Sequence, residues 1–292
     1  MALFKNKTAV ITGGAEGIGL AIARAVGKQG MSVVLGDINA DKVSTAAAEL
    51  REEGINVAAM GMDVTKPEDW QALAELAIST FGAVHAVVNN AGVGGRPSTI
   101  EATSLKDWRW VIDVNLMGVV MGMQTFVPHI KAAGGGWVVN VGSMAGLMGV
   151  PYGGAYNATK VAVVALSEGW ATELANDKIH VATLCPGFVK TRIHMSTRNK
   201  TYEYLDEGES HNPDEQSNPM SVVVNAGIDT DLVGARVIEA LEAGEHVIVT
   251  HPNYRRAIQK NHQRLDQAFA RAAESPIVKH VAQDPIDAFM PR

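Results

Sequence analysis

Tyr156 and Lys160 stand one helical turn apart in the run Tyr156-Asn157-Ala158-Thr159-Lys160, and Ser143 lies thirteen residues upstream. On a helix, positions i and i+4 share one face, so a phenol and an ammonium would enter the same space. A free phenol ionises at about pH 10. A cation beside it favours the phenolate and is expected to draw that value toward neutrality. Such a pair is a general acid/base for alcohol and ketone chemistry. Tyr-xxx-Lys spacing is also common among surface neighbours, so the surrounding elements must decide.

Those elements alternate. Thr8–Thr12 reads as a strand, followed by helical spacing over 18–29. Strands are expected at 31–36, 57–62, 84–88, 137–141, 180–184 and 246–250, with helices at 40–53, 67–81, 105–132, 155–175 and 231–243. Short apolar runs separated by helices predict a parallel sheet covered on both faces. The expectation is an α/β, three-layer, doubly wound Rossmann fold with about seven strands, built as a single domain over residues 1–292. Residues 192–228 are polar and carry Pro213 and Pro219, which suits a substrate lid. A helix from 254 to 273 and a tail ending near Phe289 and Met290 form the C-terminal part, 251–292.

Composition narrows the class. The 292 residues are 47% hydrophobic and 19% charged, with a net charge of -6. No basic stripe appears, which argues against a nucleic-acid partner. One cysteine, Cys185, precludes a disulfide within the chain. The N-terminus lacks the order of a signal peptide, and no uninterrupted apolar run of about eighteen residues occurs, so neither export nor a membrane span is expected. A cytoplasmic protein follows. The nine histidines form no HExxH and no tight cluster, so no metal is expected, and His194 and His211 read as solvated lid residues.

The string Thr12-Gly13-Gly14-Ala15-Glu16-Gly17-Ile18-Gly19 closes the first strand and opens the first helix. Glycines there permit a tight turn and close approach to a pyrophosphate, and the helix N-terminus offers free N–H groups and partial positive charge. Asp37, twenty-four residues after Gly13, ends the second strand. A carboxylate at that place can accept both ribose hydroxyls and would repel a 2'-phosphate. Glu16 adds negative charge, and no Arg or Lys stands at 36–38, so the charge balance favours NAD. Asp37 could instead cap the following helix, as Asn39 could.

With these residues the chain resembles the short-chain dehydrogenase/reductase family over about residues 6–250. The spacing Thr12-Gly13-xxx-Gly17-x-Gly19 is similar to that family's, as are Asn89-Asn90-Ala91-Gly92 after the fourth strand and Pro186-Gly187 with Val189 and Thr191 after the sixth. The resemblance implies that Asp63 and Val64 meet the adenine, that Asn90, Ala91 and Gly92 line the cofactor, and that Pro186 to Thr191 hold the nicotinamide carboxamide. It implies a catalytic set of Asn115, Ser143, Tyr156 and Lys160. Tyr156 exchanges a proton with the substrate oxygen, and Lys160 lowers its pKa and binds the nicotinamide ribose. Ser143 holds the reacting oxygen, and Asn115 orders a water that links Lys160 to solvent.

By the same resemblance, Met144, Leu147, Met148, Ile193, His194 and Met195 line the substrate space, with Val93 and Gly94 beside them. That lining is apolar and adaptable. The expected substrate is a secondary alcohol or ketone with an apolar or aromatic body. The lid around Ile193-His194 is similar to the branch that oxidises the benzylic Cα-hydroxyl of lignin-derived aryl ethers. Two alternatives stand beside this reading: a non-catalytic dinucleotide-binding regulator, and an NADPH-linked ketone or 3-oxoacyl reductase. Val111, Val114, Met117, Val120 and Met121, with Val161, Val163, Val164, Leu166 and Trp170, exceed what one packed face needs, which suggests a homodimer or homotetramer.

Overall fold

Runs such as Thr8-Ala9-Val10-Ile11-Thr12, buried at every residue, can exist only where both sides of a strand are covered. The computed structural model, which describes residues 3–209 and 220–281, covers them with helices. Strands β1 (Thr8–Thr12), β2 (Ser32–Asp37), β3 (Val57–Gly61), β4 (Ala86–Asn89), β5 (Gly136–Val141), β6 (Ile179–Cys185) and β7 (Val247–Val249) form one sheet. Its order is β3-β2-β1-β4-β5-β6-β7 and every pairing is parallel. The order reverses between β1 and β4, which opens a crevice at the carboxyl ends of those two strands. The expected α/β architecture with seven strands is what forms.

Helices α1 (Gly17–Lys28), α2 (Ala40–Glu52), α3 (Pro67–Phe81), α4 (Leu105–Ile112), α5 (Gly118–Ala132), α6 (Met144–Leu147), α7 (Gly154–Glu173), α8 (Met220–Asn225) and α9 (Thr230–Ala243) complete the first compact unit, residues 1–250. One core joins Ile22, Val26, Leu35, Leu50, Val139, Leu184 and Val237 on the α1–α9 side. A second joins Val10, Val34, Trp70, Leu73, Val87, Phe126 and Val138 on the other. Each fully buried side chain of this size contributes about 1.5–3 kcal/mol. Gly234 of α9 lies so close to α1 that a Cβ there would stand 2.5 Å from the Ala21 carbonyl oxygen. The second unit, His251–Arg292, carries α10 (Arg255–Glu274), an amphipathic helix with no buried residue.

Two local departures bear on function. The helix expected over 105–132 is broken by a π-turn at Asp113–Met117, where the Gly118 N–H bonds back to the Asp113 carbonyl. By length and mean apolarity alone that run could span a membrane. In the fold its Val111, Val119, Met123, Phe126 and Ile130 are buried. The lid, expected only as a polar stretch, has helical turns at Ile193–Asn199 and Tyr202–Tyr204. His211, Pro213, Pro219, Phe289 and Met290 lie outside the described residues.

Candidate active site

The glycine turn is built by what surrounds it. Gly13 has φ +63°, and a Cβ there would stand 2.8 Å from Asn90 Nδ2. Gly17 also has φ +63°, with Thr191 Cγ2 3.3 Å from where its Cβ would be. Asn90 sends its amide nitrogen to the carbonyls of Thr12 (2.8 Å) and Gly13 (3.0 Å). Thr12 Oγ1 accepts from the backbone N–H of Asn90 and of Ala91, both at 3.1 Å. Asn90 and Ala91 therefore brace the turn through Thr12, the residue that opens the glycine motif. A bulkless, positive-φ turn at a helix N-terminus is a cradle that fits a dinucleotide diphosphate.

Asp37 stands beside this turn. Its Oδ2 accepts from the Ala15 N–H (3.1 Å) and its Oδ1 from the Asn39 N–H (3.0 Å). Asn39, whose Oδ1 accepts from the Lys42 N–H, caps α2, so the capping role falls to Asn39 and not to Asp37. Burial raises the Asp37 pKa, while the two backbone N–H bonds oppose it. The local charge differs from the sequence count. No cation neighbours Asp37 in sequence, but the fold brings Lys42 Nζ to 3.1 Å from Glu16 Oε2 and seats Arg198 Nη2 on Glu16 Oε1.

The pair that the resemblance sets on the adenine side follows β3. Asp63 Oδ1 accepts from the Thr65 N–H and hydroxyl at 2.9 and 2.8 Å. Val64 is buried beneath Gly118 and accepts the Trp70 indole N–H at 2.9 Å. Both residues shape the end of β3.

Ser143, Tyr156 and Lys160 converge. Ser143 caps α6, accepting the Ala145 N–H at 3.1 Å, and its hydroxyl is near enough to the Tyr156 phenol to lower that phenol's pKa. Met144 N–H donates to the Pro186 carbonyl at 2.9 Å, which ties α6 to the segment after β6. The buried Lys160 donates to the Val141 carbonyl at 2.7 Å, with its Nζ 5.6 Å from the Tyr156 ring centroid. Burial holds the Tyr156 phenol above its usual range, partly offset by the neighbouring Ser143 hydroxyl. Burial also brings Lys160 down to about 8. The phenol therefore lies above its ordinary pKa and not below it as expected, because desolvation dominates.

Asn115 sits in the π-turn, fully buried. Its Oδ1 accepts the Val93 N–H at 2.7 Å, and its Nδ2 donates to the Val93 carbonyl at 2.9 Å and to Thr159 Oγ1 at 3.4 Å. The side chain therefore clamps the loop after β4 to α7. Gly92 lies between: a Cβ there would be 3.3 Å from Asn115 Oδ1 and 3.7 Å from Lys160 Nζ.

Beyond β6, Val189 is buried and its segment is bridged to Ile228. Pro186, Gly187 and Thr191 follow the carboxyl end of β6. Among the expected substrate-lining residues, Met144 and Met195 are buried, while Leu147, Met148, Ile193 and His194 are half-buried. His194 is not a solvated side chain, since both ring nitrogens are buried. The Gly94 N–H donates to Ser196 Oγ at 3.0 Å, tying the lid to the loop after β4. Lys200, fully buried, bonds Asp107 Oδ1 and Glu209 Oε2, each at 2.7 Å. Ser196, Arg198 and Lys200 carried no motif, and only the fold shows that they anchor the lid.

Residues 7–202 match the family model described as short chain dehydrogenase. Cyclohexanol dehydrogenase of Acinetobacter sp. (strain SE19) is 43% identical over 190 residues, covering 65% of this chain and 76% of that protein. The C alpha-dehydrogenase of Sphingobium sp. (strain NBRC 103272 / SYK-6) is 30% identical over 94% of this chain and 90% of its own. The crystal structure of a short chain dehydrogenase/reductase from Burkholderia phymatum in complex with NAD superposes with a TM-score of 0.86 at 33% identity. That likeness covers 92% of this chain and 97% of the other.

Proposed function

The chain belongs to the short-chain dehydrogenase family, and from that premise we propose that it is an NAD-dependent dehydrogenase of secondary alcohols with an apolar or aromatic body. The observation that carries this reading is the convergence of Ser143, Tyr156 and the buried Lys160 at the strand ends beside the Asp37-braced glycine turn. Asp37 and Glu16 support NAD over NADP, and Lys42 and Arg198 are both engaged by Glu16. The apolar surroundings of Met144, Leu147, Met148, Ile193 and Met195 support the substrate class, as do the named activities of the relatives.

Bound nicotinamide would supply the hydride acceptor. The chain's own groups manage the proton and the geometry. Tyr156 takes the hydroxyl proton as general base, and returns it in the reverse direction. Ser143 donates to the reacting oxygen and fixes it against the phenol. Lys160 holds the underside of the phenol, and Asn115 fixes the loop that carries Gly92 against α7. The apolar walls keep water from the reacting carbon.

The test is NADH formation from a panel of alicyclic and aryl secondary alcohols, run in parallel with NADP. Activity is expected with NAD in preference to NADP. Tyr156→Phe is expected to lower kcat by about a hundredfold to ten-thousandfold with little change in NADH affinity. A variant with near-normal kcat would remove the phenol from proton transfer.

We also infer a homodimer or homotetramer formed through the π-turn and α7, because Met117, Val161 and Leu166 are 42%, 48% and 36% exposed. Val111 and Val163, counted in the same apolar surplus, are core residues.

A further inference from the structure

We propose that Arg198 is a further cofactor-binding residue, gripping the diphosphate of the bound dinucleotide from the lid, with Glu16 holding the guanidinium ready beforehand. The proposal rests on reading the glycine turn as a dinucleotide site. Glu16 occupies the N-cap of α1, at the end where a diphosphate would meet the free N–H groups, and its side chain makes no capping bond. Arg198 Nη2 is seated on Glu16 Oε1, 182 residues away in sequence, so the lid already reaches across the groove to the phosphate turn. Arg198 Nη1 donates to the Arg192 carbonyl at 2.8 Å, which orients the guanidinium plane from behind.

The segment carrying Arg198 is fixed on both sides. Upstream, Thr191 lies against Gly17. Downstream, Lys200 is held by Asp107 and Glu209. A guanidinium presented from so constrained a backbone loses little freedom on binding. Glu16 can also release it without being stranded, because Lys42 Nζ remains 3.1 Å from its other oxygen. Around Arg198 stand the carboxylates of Glu16 and Asp37 and the cations of Lys42 and Arg192, and an arriving diphosphate is gripped by Arg198 only if Glu16 hands it over. Arg198 is the better donor, since its planar fork matches phosphate oxygens bidentately where a lysine offers a point charge. A carboxylate beside a bound diphosphate would repel it, and the second cation, Lys42, keeps Glu16 neutralised throughout.

The experiment titrates the protein with NADH by fluorescence and then displaces NADH with ADP-ribose or adenosine. Wild type, Arg198→Met, Arg198→Lys and Glu16→Gln are compared. Arg198→Met is expected to weaken ADP-ribose and NADH about tenfold to a hundredfold and to leave adenosine, which lacks the diphosphate, unchanged. Glu16→Gln is expected to bind ADP-ribose as well as wild type or better, because the guanidinium no longer has to be released. If Glu16→Gln weakens ADP-ribose as much as Arg198→Met does, the pair persists in the complex as a lid latch and the proposal fails. Unchanged ADP-ribose affinity in Arg198→Met also overturns it. If wild type binds no NADH, the failure is instead that of the dinucleotide site itself. Should Arg198→Met not fold, Arg198→Lys carries the test. It keeps charge and loses the fork, so ADP-ribose weakens several-fold if the guanidinium meets the diphosphate and is unaffected if it does not.

Discussion

At Tyr156 two influences oppose each other. Burial lifts the phenol pKa, and the neighbouring Ser143 hydroxyl lowers it. Alcohol oxidation needs the phenolate, so its rate rises with pH through the phenol's ionisation. Ser143→Ala removes the lowering contact, and the inflection in the pH profile of kcat is expected to move to higher pH, along with a fall in rate. Lys160 shows the cost of the arrangement. Its folded pKa of about 8 lies below the unfolded value near 10.5. The unfolded chain therefore binds more protons between those values, and stability rises with pH across that window. Below it the penalty is constant, on the order of 3 kcal/mol, offset by a hydrogen bond to Val141 worth about 1 kcal/mol. Lys160→Met is thus expected to be inactive yet more stable at pH 7 by about 1–3 kcal/mol. Urea unfolding at pH 7 and at higher pH checks this: the gap to wild type should narrow as the pH rises beyond 8.

The lid and the π-turn are held by elements that the catalytic motifs do not contain. The π-turn at Asp113–Met117 turns Asn115 toward Val93 and Thr159, and such local widening of a helix is frequent at functional sites. The same helix anchors the lid. Tyr204 donates to Asp113 Oδ2 at 2.9 Å, Lys106 to the Leu205 carbonyl at 2.6 Å, and Lys200 bridges Asp107 and Glu209 while lying 5.6 Å from the Trp110 ring centre. Burial alone would lower the Lys200 pKa, but the two carboxylates outweigh it and hold it above its ordinary value. Removing one partner from a buried ion cluster costs far more than the cluster contributes net, because the remaining charges stay desolvated. Lys200→Met is therefore expected to destabilise the protein by about 3–5 kcal/mol. A lowered thermal midpoint and faster protease cleavage within residues 193–209 would record it; an unchanged midpoint would mean that the cluster is not tightly coupled to folding.

On the scale of the whole molecule, the seven-strand sheet places every functional segment at one edge. The glycine turn follows β1, Asp37 ends β2, Asn90 follows β4, Ser143 follows β5 and Pro186 follows β6. Met117 of the π-turn and Val161 and Leu166 of α7 are the exposed apolar residues behind the inferred subunit contact. Val161→Glu puts a charge at that contact, and light scattering after gel filtration is expected to show the oligomer's mass fall. The folded circular dichroism signal should persist, since Val161 is 48% exposed. A wild-type monomer would refute the inferred assembly.

The sequence by itself determined the sheet and the order of its motifs. Apolar strand runs, helical periodicity and the spacing from Thr12 to Gly19 and from Ser143 to Lys160 are local patterns that chain geometry imposes residue by residue. Only the tertiary structure decided what depends on distant partners. It set the phenol's raised pKa through burial, gave Asn115 its clamp on Val93, and brought Lys42 and Arg198 onto Glu16. It also buried Lys200 between Asp107 and Glu209. These contacts join residues separated by up to 182 positions, and neither burial nor long-range charge pairing leaves a periodic trace along a single chain.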